Sequence, residues 1–155
     1  MSIMNSFLLF CVEEVRYALD VGAVKRIVRA AEINFLPDAP DFVRGLINVA
    51  GDIIPVIDMR QRLGLPGREM ELSDRFILTN VAGKPIALLV DRVEGVVELP
   101  ALSHSVTNVK TKVQDTTATA VTVEGNIVLI QPTETFISED TLLQLVNIGS
   151  EDIGE

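Results

Sequence analysis

The sequence predicts a mainly β protein built from two small lobes, and two observations support this fold class. Short apolar runs rich in β-branched residues alternate with turn residues, as in antiparallel hairpins. One plan of hairpin, short apolar crossover, loop and hairpin then occurs twice, in about 75 residues each time. Closing each copy into an antiparallel barrel removes its exposed sheet edges. We therefore expect two packed barrels inside one domain of residues 1–155, with approximate lobes 7–74 and 75–149 between which strands can be exchanged.

The most apolar segment, residues 43–57, is predicted to be a tight hairpin. Gly51 occupies its turn, where a positive φ angle costs least for glycine. Pro55 lies in the second strand and cannot donate a ladder hydrogen bond, so we expect this strand at a sheet edge or bulged there. Asp58 is typical of a helix N-cap, and a short helical turn should follow it and end at Gly64.

The repeat is visible as two constant offsets in residue number. An offset of 69 superimposes the hairpin of residues 7–21 on that of residues 76–90, and an offset of 74 superimposes the central hairpin on residues 119–130. The apolar crossovers also correspond at 69, and each is predicted to be a short helical turn or an irregular strand with about half of its residues in the core. Their members are Val24, Ile27 and Val28 in the first copy and Val93, Val96 and Val97 in the second.

Two other segments complete the organisation. The polar residues 103–117 are predicted to form a long loop. Ser138 should cap a C-terminal helix that packs through its apolar residues and ends at Gly149, and residues 150–155 should form a frayed acidic tail. The helix residues expected to pack are Leu142, Leu143, Leu145 and Val146.

Composition narrows the class of function. The chain has 155 residues and is 48% hydrophobic but only 5% aromatic, which indicates an aliphatic core. No apolar run reaches the roughly 18 to 20 residues that span a bilayer, and no signal peptide is evident at the N-terminus. Cys11, the single cysteine, is expected to be buried and inert. We therefore expect a cytoplasmic protein without direct membrane insertion.

Charge is unevenly distributed along the chain. The net charge is −9, and residues 113–155 contain eight acids and no Lys or Arg. This excess of acids disfavours nucleic acid as a partner. It suits a basic protein surface, or it simply solvates the C-terminal helix and tail.

No catalytic constellation is evident in the sequence. His104, the only histidine, lies in the polar stretch beside Ser103 and Ser105 without a third group to orient it. The sequence has no metal-ligand spacing and no phosphate-binding loop. Asp91 and Glu94 could form a carboxylate pair, but a solvated strand edge is the simpler interpretation. We therefore expect no enzyme activity, no cofactor and no metal, and we look for function in the surfaces.

The central hairpin resembles the signature of the CheW family, the bacterial chemotaxis coupling proteins. That signature reads Gly-x-Ile-Asn-Leu-Arg-Gly, then Ile-Pro, then Asp-Leu-Arg, and the segment from Val90 to Val93 matches a second family motif. The chain departs at Ala50, where the family usually has arginine, and at residues 129–132, where a closing Leu-Asp-Leu is usual. The matching residues are Gly45, Ile47, Asn48, Gly51, Ile54, Pro55, Asp58 and Arg60.

The resemblance covers residues 7 to about 145 and implies two packed, five-stranded SH3-like barrels with short helices. It also implies a scaffold that binds the regulatory domain of a CheA-type histidine kinase and the cytoplasmic tip of chemoreceptors in membrane-associated arrays. The receptor-facing residues carried over by position are Ile47, Asn48, Val49, Ala50 and Val93.

Two alternatives stay open on the sequence alone. Alanine at position 50 forms none of the forked hydrogen bonds of an arginine. An adaptor of this fold that has lost ordinary receptor or kinase contacts is therefore the second hypothesis. The third is an enzyme or small-ligand module built on two barrels.

Overall fold

The fold is described by a computed structural model that covers residues 4–100, 107–110, 117–138 and 140–145. Within these residues it contains eleven strands, which confirms the all-β class, together with a few short helices. The helices are α1 (Met59–Arg62), two 3₁₀ turns (Val21–Ala23 and Thr133–Thr135) and helical residues 140–145. The strands are β1 (Met4–Val12), β2 (Val15–Asp20), β3 (Val24–Arg29), β4 (Val43–Val49), β5 (Asp52–Asp58), β6 (Arg75–Val81), β7 (Lys84–Val90), β8 (Arg92–Pro100), β9 (Thr107–Lys110), β10 (Thr117–Val123) and β11 (Asn126–Ile130).

The strands form two sheets rather than one. The six-stranded sheet has the order β8-β1-β2-β11-β10-β9, and the five-stranded sheet has the order β3-β6-β7-β5-β4. Each sheet contains strands from both sides of residue 74, so strands are exchanged between the two halves of the chain. The six-stranded sheet has one strand more than expected, β9, which forms within the stretch predicted to be a loop. Closure of each sheet into a barrel stays a prediction, as does the division of the domain into lobes 7–74 and 75–149.

The repeat appears in the strand registers. In the six-stranded sheet Phe7 opposes Val97, and at an offset of 69 Phe76 opposes Val28 in the five-stranded sheet. Both crossovers are therefore strands, β3 and β8, and each contains an extra bulged residue at the same place, Lys25 in one and Glu94 in the other. The irregular-strand alternative is the correct one. The two sheets are internal copies of one pattern, to which β9 is added.

The core has three parts. One cluster belongs to the six-stranded sheet and includes Leu9 and Val128, and a second belongs to the five-stranded sheet and includes Ile54 and Phe76. The largest cluster joins residues of both sheets, such as Phe10 of β1, with the segment that follows β11. The crossovers divide in the same way in both copies. Val24 and Val93 pack on the shared cluster, Val28 and Val97 pack within their own sheets, and Ile27 and Val96 are exposed.

Pro55 is accommodated in a way that the sequence only partly indicated. The strand β5 lies inside its sheet, between β7 and β4, so the edge prediction was wrong for the strand as a whole. The parallel ladder with β7 begins only at Val56, and Pro55 itself opposes Leu46 of β4. The proline therefore lies where β5 has a single neighbour. A bulge does occur in this hairpin, but on β4, between Val43 and Gly45.

The C-terminal segment packs back on the shared cluster. Ser138 Oγ accepts a hydrogen bond from the backbone N–H of Thr141 at 3.1 Å, which confirms the predicted cap. Leu142 and Leu145 are buried, whereas Leu143 is 40% exposed, so its expected packing was wrong. The predicted contribution of Val146, the helix end at Gly149 and the tail 150–155 lie outside the described residues. No helix in the described ranges is long and apolar enough to cross a membrane.

Candidate functional site

The hairpin of β4 and β5 lies at one side of the five-stranded sheet, with β4 as the edge strand. Its inner face is anchored in the core through Ile47 and Ile54, which are 5% and 4% exposed. Gly45 fits closely against the loop before it, because an added Cβ atom would lie 2.1 Å from the backbone oxygen of Asn34. The backbone of Asn34 also pairs with Leu46. The hairpin is therefore a rigid support for whatever its tip presents.

The tip is a two-residue turn with both central residues at positive φ. Ala50 has φ 53° and Gly51 has φ 93°, the combination that a type I′ hairpin turn requires. The turn is closed by Asn48, whose Oδ1 accepts a hydrogen bond from the backbone N–H of Gly51 at 2.9 Å. Alanine is strained at this φ, as any residue with a Cβ atom would be. The Cβ of residue 50 thus projects from a fixed, exposed turn.

The structure separates the residues that the sequence grouped as partner-binding. Asn48 and Ala50 are exposed, Val49 is half-buried and Ile47 is in the core. Val93 is half-buried on β8, in the other sheet, where it packs against the shared cluster. Asn48 and Ala50 are thus available at the surface of the hairpin, Ile47 and Val49 pack on its inner cluster, and Val93 belongs to a different element.

An ion-pair network holds the base of this hairpin to the six-stranded sheet. Arg60, on α1 directly after β5, donates to both carboxylate oxygens of Asp91 at 2.9 and 2.7 Å. It also reaches Glu13, in the β1–β2 turn, at 2.5 Å. Asp91 lies at the junction between β7 and β8, where the chain leaves one sheet for the other. Charge-assisted, forked pairs of this kind fix geometry as well as contributing energy.

The same network extends along the loop that follows α1. Arg68 donates to both carboxylate oxygens of Asp74, at 3.1 and 2.9 Å, and lies 3.1 Å from Asp91. Arg44, on β4, donates to Asp58 at 2.9 Å, and Asp58 also caps α1 through the N–H of Arg60, which confirms its predicted role. The resemblance matched Asp58 and Arg60 without indicating these contacts. Asp58 and Arg60 position the hairpin from its base and do not lie at its tip.

A second ion pair lies on the six-stranded sheet. Arg16 Nε donates to Glu94 at 2.8 Å. This hydrogen bond is the main reason that the pKa of Glu94 is lowered from its usual value. Cys11, on the adjacent strand, is buried, as predicted, and its pKa is raised, chiefly by burial and further by Glu94. Asp91 and Glu94 each face arginine, so the structure offers no general acid–base pair here.

Exposed apolar residues recur at equivalent positions in the two copies, which the sequence reasoning did not identify. Ile27 and Val96 are 40% and 59% exposed on the edge strands β3 and β8. Ile53 and Ile127 are 47% and 69% exposed beside the two corresponding hairpin turns. The offsets of 69 and 74 contained this signal, because equivalent positions share one environment. The recurrence of exposed apolar side chains at equivalent positions makes these four residues candidates for contact with other proteins.

Within the described ranges no group of His, Cys, Asp or Glu side chains is arranged to hold a metal ion. His104, with Ser103 and Ser105, lies outside the described residues. The described residues thus form an exposed hairpin tip that is held at its base by ion pairs.

Comparison with known proteins agrees with this geometry. A family model described as the CheW-like domain matches residues 6–140. The chain is 28% identical over 133 residues to "Chemotaxis protein CheW" of Thermotoga maritima, a match that covers 86% of this chain and 87% of that protein. It is 31% identical over 93 residues to "Chemotaxis protein CheW" of Bacillus subtilis, covering 60% of each.

A solved structure is also similar. The scaffolding protein TtCheW from Thermoanaerobacter tengcongensis superimposes with a TM-score of 0.71 at 25% sequence identity, covering 88% of this chain and 95% of that one. The family model, the similar sequences and this fold agree with the motif in β4 and β5. The chain belongs to the CheW-like family.

Proposed function

We propose that this chain is a non-enzymatic coupling protein that links chemoreceptors to a CheA-type histidine kinase. Membership of the CheW-like family supports the role of a chemotaxis scaffold and not that of an enzyme. In this proposal the chain binds the kinase through its regulatory domain and the receptors through their cytoplasmic tip. It works in the cytoplasm, where receptor arrays recruit it to the membrane without inserting it.

The observation that carries the proposal is the β4–β5 hairpin. Its tip is rigid and exposed, and it places Asn48, Ala50 and Ile53 at the edge of a sheet that is anchored on its inner face. A preorganised surface loses little conformational entropy on binding, which is what a scaffold needs. We assign receptor contact to these three side chains, with Val49 beside them and Ile47 supporting them from the core. Val93 contributes from β8 as a second contact.

The test is isothermal titration of the full chain with a receptor-tip fragment and, separately, with a kinase regulatory domain. Ile53→Asp should weaken receptor-tip binding by about ten-fold or more, as removal of a central apolar contact does. The matched control is Ile127→Asp, at the equivalent position of the other hairpin, which should leave that affinity within about two-fold. Kinase binding should be unchanged in Ile53→Asp. Equal losses in the two variants would contradict the assignment of the site.

Ala50 favours a second candidate, an adaptor whose receptor contact has been replaced. The turn exposes a methyl group where the family usually presents a guanidinium, so the charge-assisted bonds of that group are missing. Ala50→Arg separates the two candidates in the same titration. A gain in receptor affinity with kinase binding intact supports a coupling protein with a weakened receptor contact. If neither the wild type nor the variant binds the receptor tip or the kinase domain, the coupling protein is rejected and the adaptor candidate is supported.

A further inference from the structure

Two arginines face each other across the outer strands of the five-stranded sheet. Arg29 ends the edge strand β3, and its direct cross-strand partner is Arg75, the first residue of β6. Directly opposed residues in an antiparallel pair project from the same face, and like charges in this arrangement repel. Neither guanidinium forms an ion pair with any carboxylate among the described residues. Within the described residues, the fold therefore keeps two like charges together without an ion pair to either of them.

The two arginines line one cavity of about 400 Å³. Its other walls are Ala30, Met70, Glu71 and Leu72, and Met70 packs against the core cluster of this sheet. Glu71 is the acid among the described lining residues, and its carboxylate lies 3.5 Å from the guanidinium of Arg68. The cavity thus combines cationic walls with an apolar base.

Leu72 stands at the rim with 98% of its surface exposed. Its loop is nevertheless held in place, because Arg75 donates to the backbone oxygens of Leu72 and Asp74, each at 2.9 Å. The backbone N–H of Ala30 donates to the oxygen of Asp74 at 3.2 Å, which joins the end of β3 to the same loop. Leu72 thus offers an exposed apolar side chain, on a loop held by these hydrogen bonds, beside the cationic cavity.

We propose that this cavity is a docking site for an acidic segment of a partner protein, with an apolar side chain flanked by carboxylates. The carboxylates neutralise Arg29 and Arg75, and the apolar side chain packs on Met70 and Leu72. The site lies at the β3 edge of the sheet, opposite the β4 edge that carries the hairpin, so it is an additional surface. Charge complementarity selects the segment, since a basic or neutral one leaves the opposed arginines unpaired.

The experiment is an NMR titration of the ¹⁵N-labelled full chain with the capped peptide Asp-Glu-Leu-Glu-Asp. We expect saturable shifts of the amide signals of Ala30, Leu72 and Arg75. The peptides Asp-Glu-Ser-Glu-Asp and Lys-Lys-Leu-Lys-Lys should bind more weakly, because each lacks one half of the chemistry. Sodium phosphate that gave the same shifts with the same affinity would overturn the proposal in favour of a plain anion site, and absence of shifts with the acidic peptide would overturn it altogether.

Substitution of Arg29 gives the second readout. Arg29→Gln should lower peptide affinity by about five-fold, the loss typical of one exposed ion pair, while stability in urea stays equal or rises because the like-charge pair is gone. The matched control is Arg92→Gln, an arginine whose side chain is 52% exposed on β8 of the other sheet, which should leave peptide affinity unchanged. Equal weakening in both variants would show that only net charge matters and would contradict the site.

Discussion

Arg60 and Asp91 form a forked ion pair that joins the end of the central hairpin to the point where the chain passes from one sheet to the other. Two guanidinium nitrogens of Arg60 lie 2.9 and 2.7 Å from the two carboxylate oxygens of Asp91. Both side chains are largely covered, at 16% and 13% exposed. Asp91 also accepts a hydrogen bond from the backbone N–H of Glu13. A change at Asp91 therefore affects several partners at once.

Removing one member of this pair should destabilise the fold. Asp91→Asn leaves Arg60 partly buried without its main counter-charge, and we expect a loss of about 1–3 kcal/mol in the free energy of unfolding, below the range for fully buried pairs. Urea denaturation measures it. The control is Arg92→Gln, next in sequence, whose contact with Glu94 is long at 3.6 Å and exposed, and which should change stability by less than about 0.5 kcal/mol. If Asp91→Asn lowered the free energy of unfolding by less than about 0.5 kcal/mol, the result would contradict a structural role for this network.

Gly45 should tolerate no side chain. An added Cβ would lie 2.1 Å from the backbone oxygen of Asn34, at a backbone φ of 152° that L residues rarely adopt. We expect Gly45→Ala to destabilise by more than about 3 kcal/mol or to prevent folding, because backbone atoms on both sides must move. Gly83→Ala is the control. Gly83 also has positive φ, 79°, but has open space around it, so strain alone should cost about 1 kcal/mol. Equal effects, by urea denaturation, would show that the close approach to Asn34 has no energetic importance.

Position 50 should respond to backbone conformation more than to side-chain size. Ala50 has φ 53°, where every residue with a Cβ atom is strained. Ala50→Gly should therefore stabilise the protein by about 0.5–1 kcal/mol, reduced by the greater freedom of glycine in the unfolded chain. Ala50→Arg should change stability by less than about 0.5 kcal/mol, since it exchanges one strained residue for another at an exposed site. Thermal melts of the three proteins decide this, and a large loss in Ala50→Arg would disqualify it as a binding probe.

The Glu94 carboxylate should contribute a pH-dependent part of stability. Its hydrogen bond from Arg16 lowers its pKa in the folded state. A lowered folded pKa means that the stabilisation is fully present above the unfolded pKa, about 4.3. It is lost as the pH falls through the lower folded value. The stability of the wild type should thus fall more steeply below pH ~4.5 than that of Glu94→Gln. Parallel urea midpoints for both proteins across this range would rule out the linkage.

The sequence was sufficient where local chemistry decides structure. The alternating apolar runs, the turn glycines and the Asp58 cap each specify a local conformation, and the offsets of 69 and 74 revealed two copies of one plan. The departure at the end of the second copy is also intelligible. Pro132 occupies the N-cap position equivalent to Asp58 but forms no side-chain cap hydrogen bond, so the second copy has a 3₁₀ turn where the first has α1.

The candidate site was only partly accessible from the sequence. The motif drew attention to β4 and β5, but it could not distinguish Ile47, which points to the core, from Ile53, which is exposed. Alternation along a strand defines two faces without stating which one is covered, and here the covering residues come from distant parts of the chain. The pairing of Arg29 with Arg75 could not be predicted from the sequence either, because 45 residues separate these two directly paired positions.

By itself, the sequence determined the all-β class, the hairpins, the repeat and the family, because these follow from short-range patterning of side chains. Only the tertiary structure decided which hairpin joins which sheet. The ladder of β2 with β11 and that of β5 with β7 cross between the halves of the chain, and the ion pairs around Asp91 hold that exchange in place. Strand partners are chosen by the burial of all faces together, a property of the assembled core that no local segment contains.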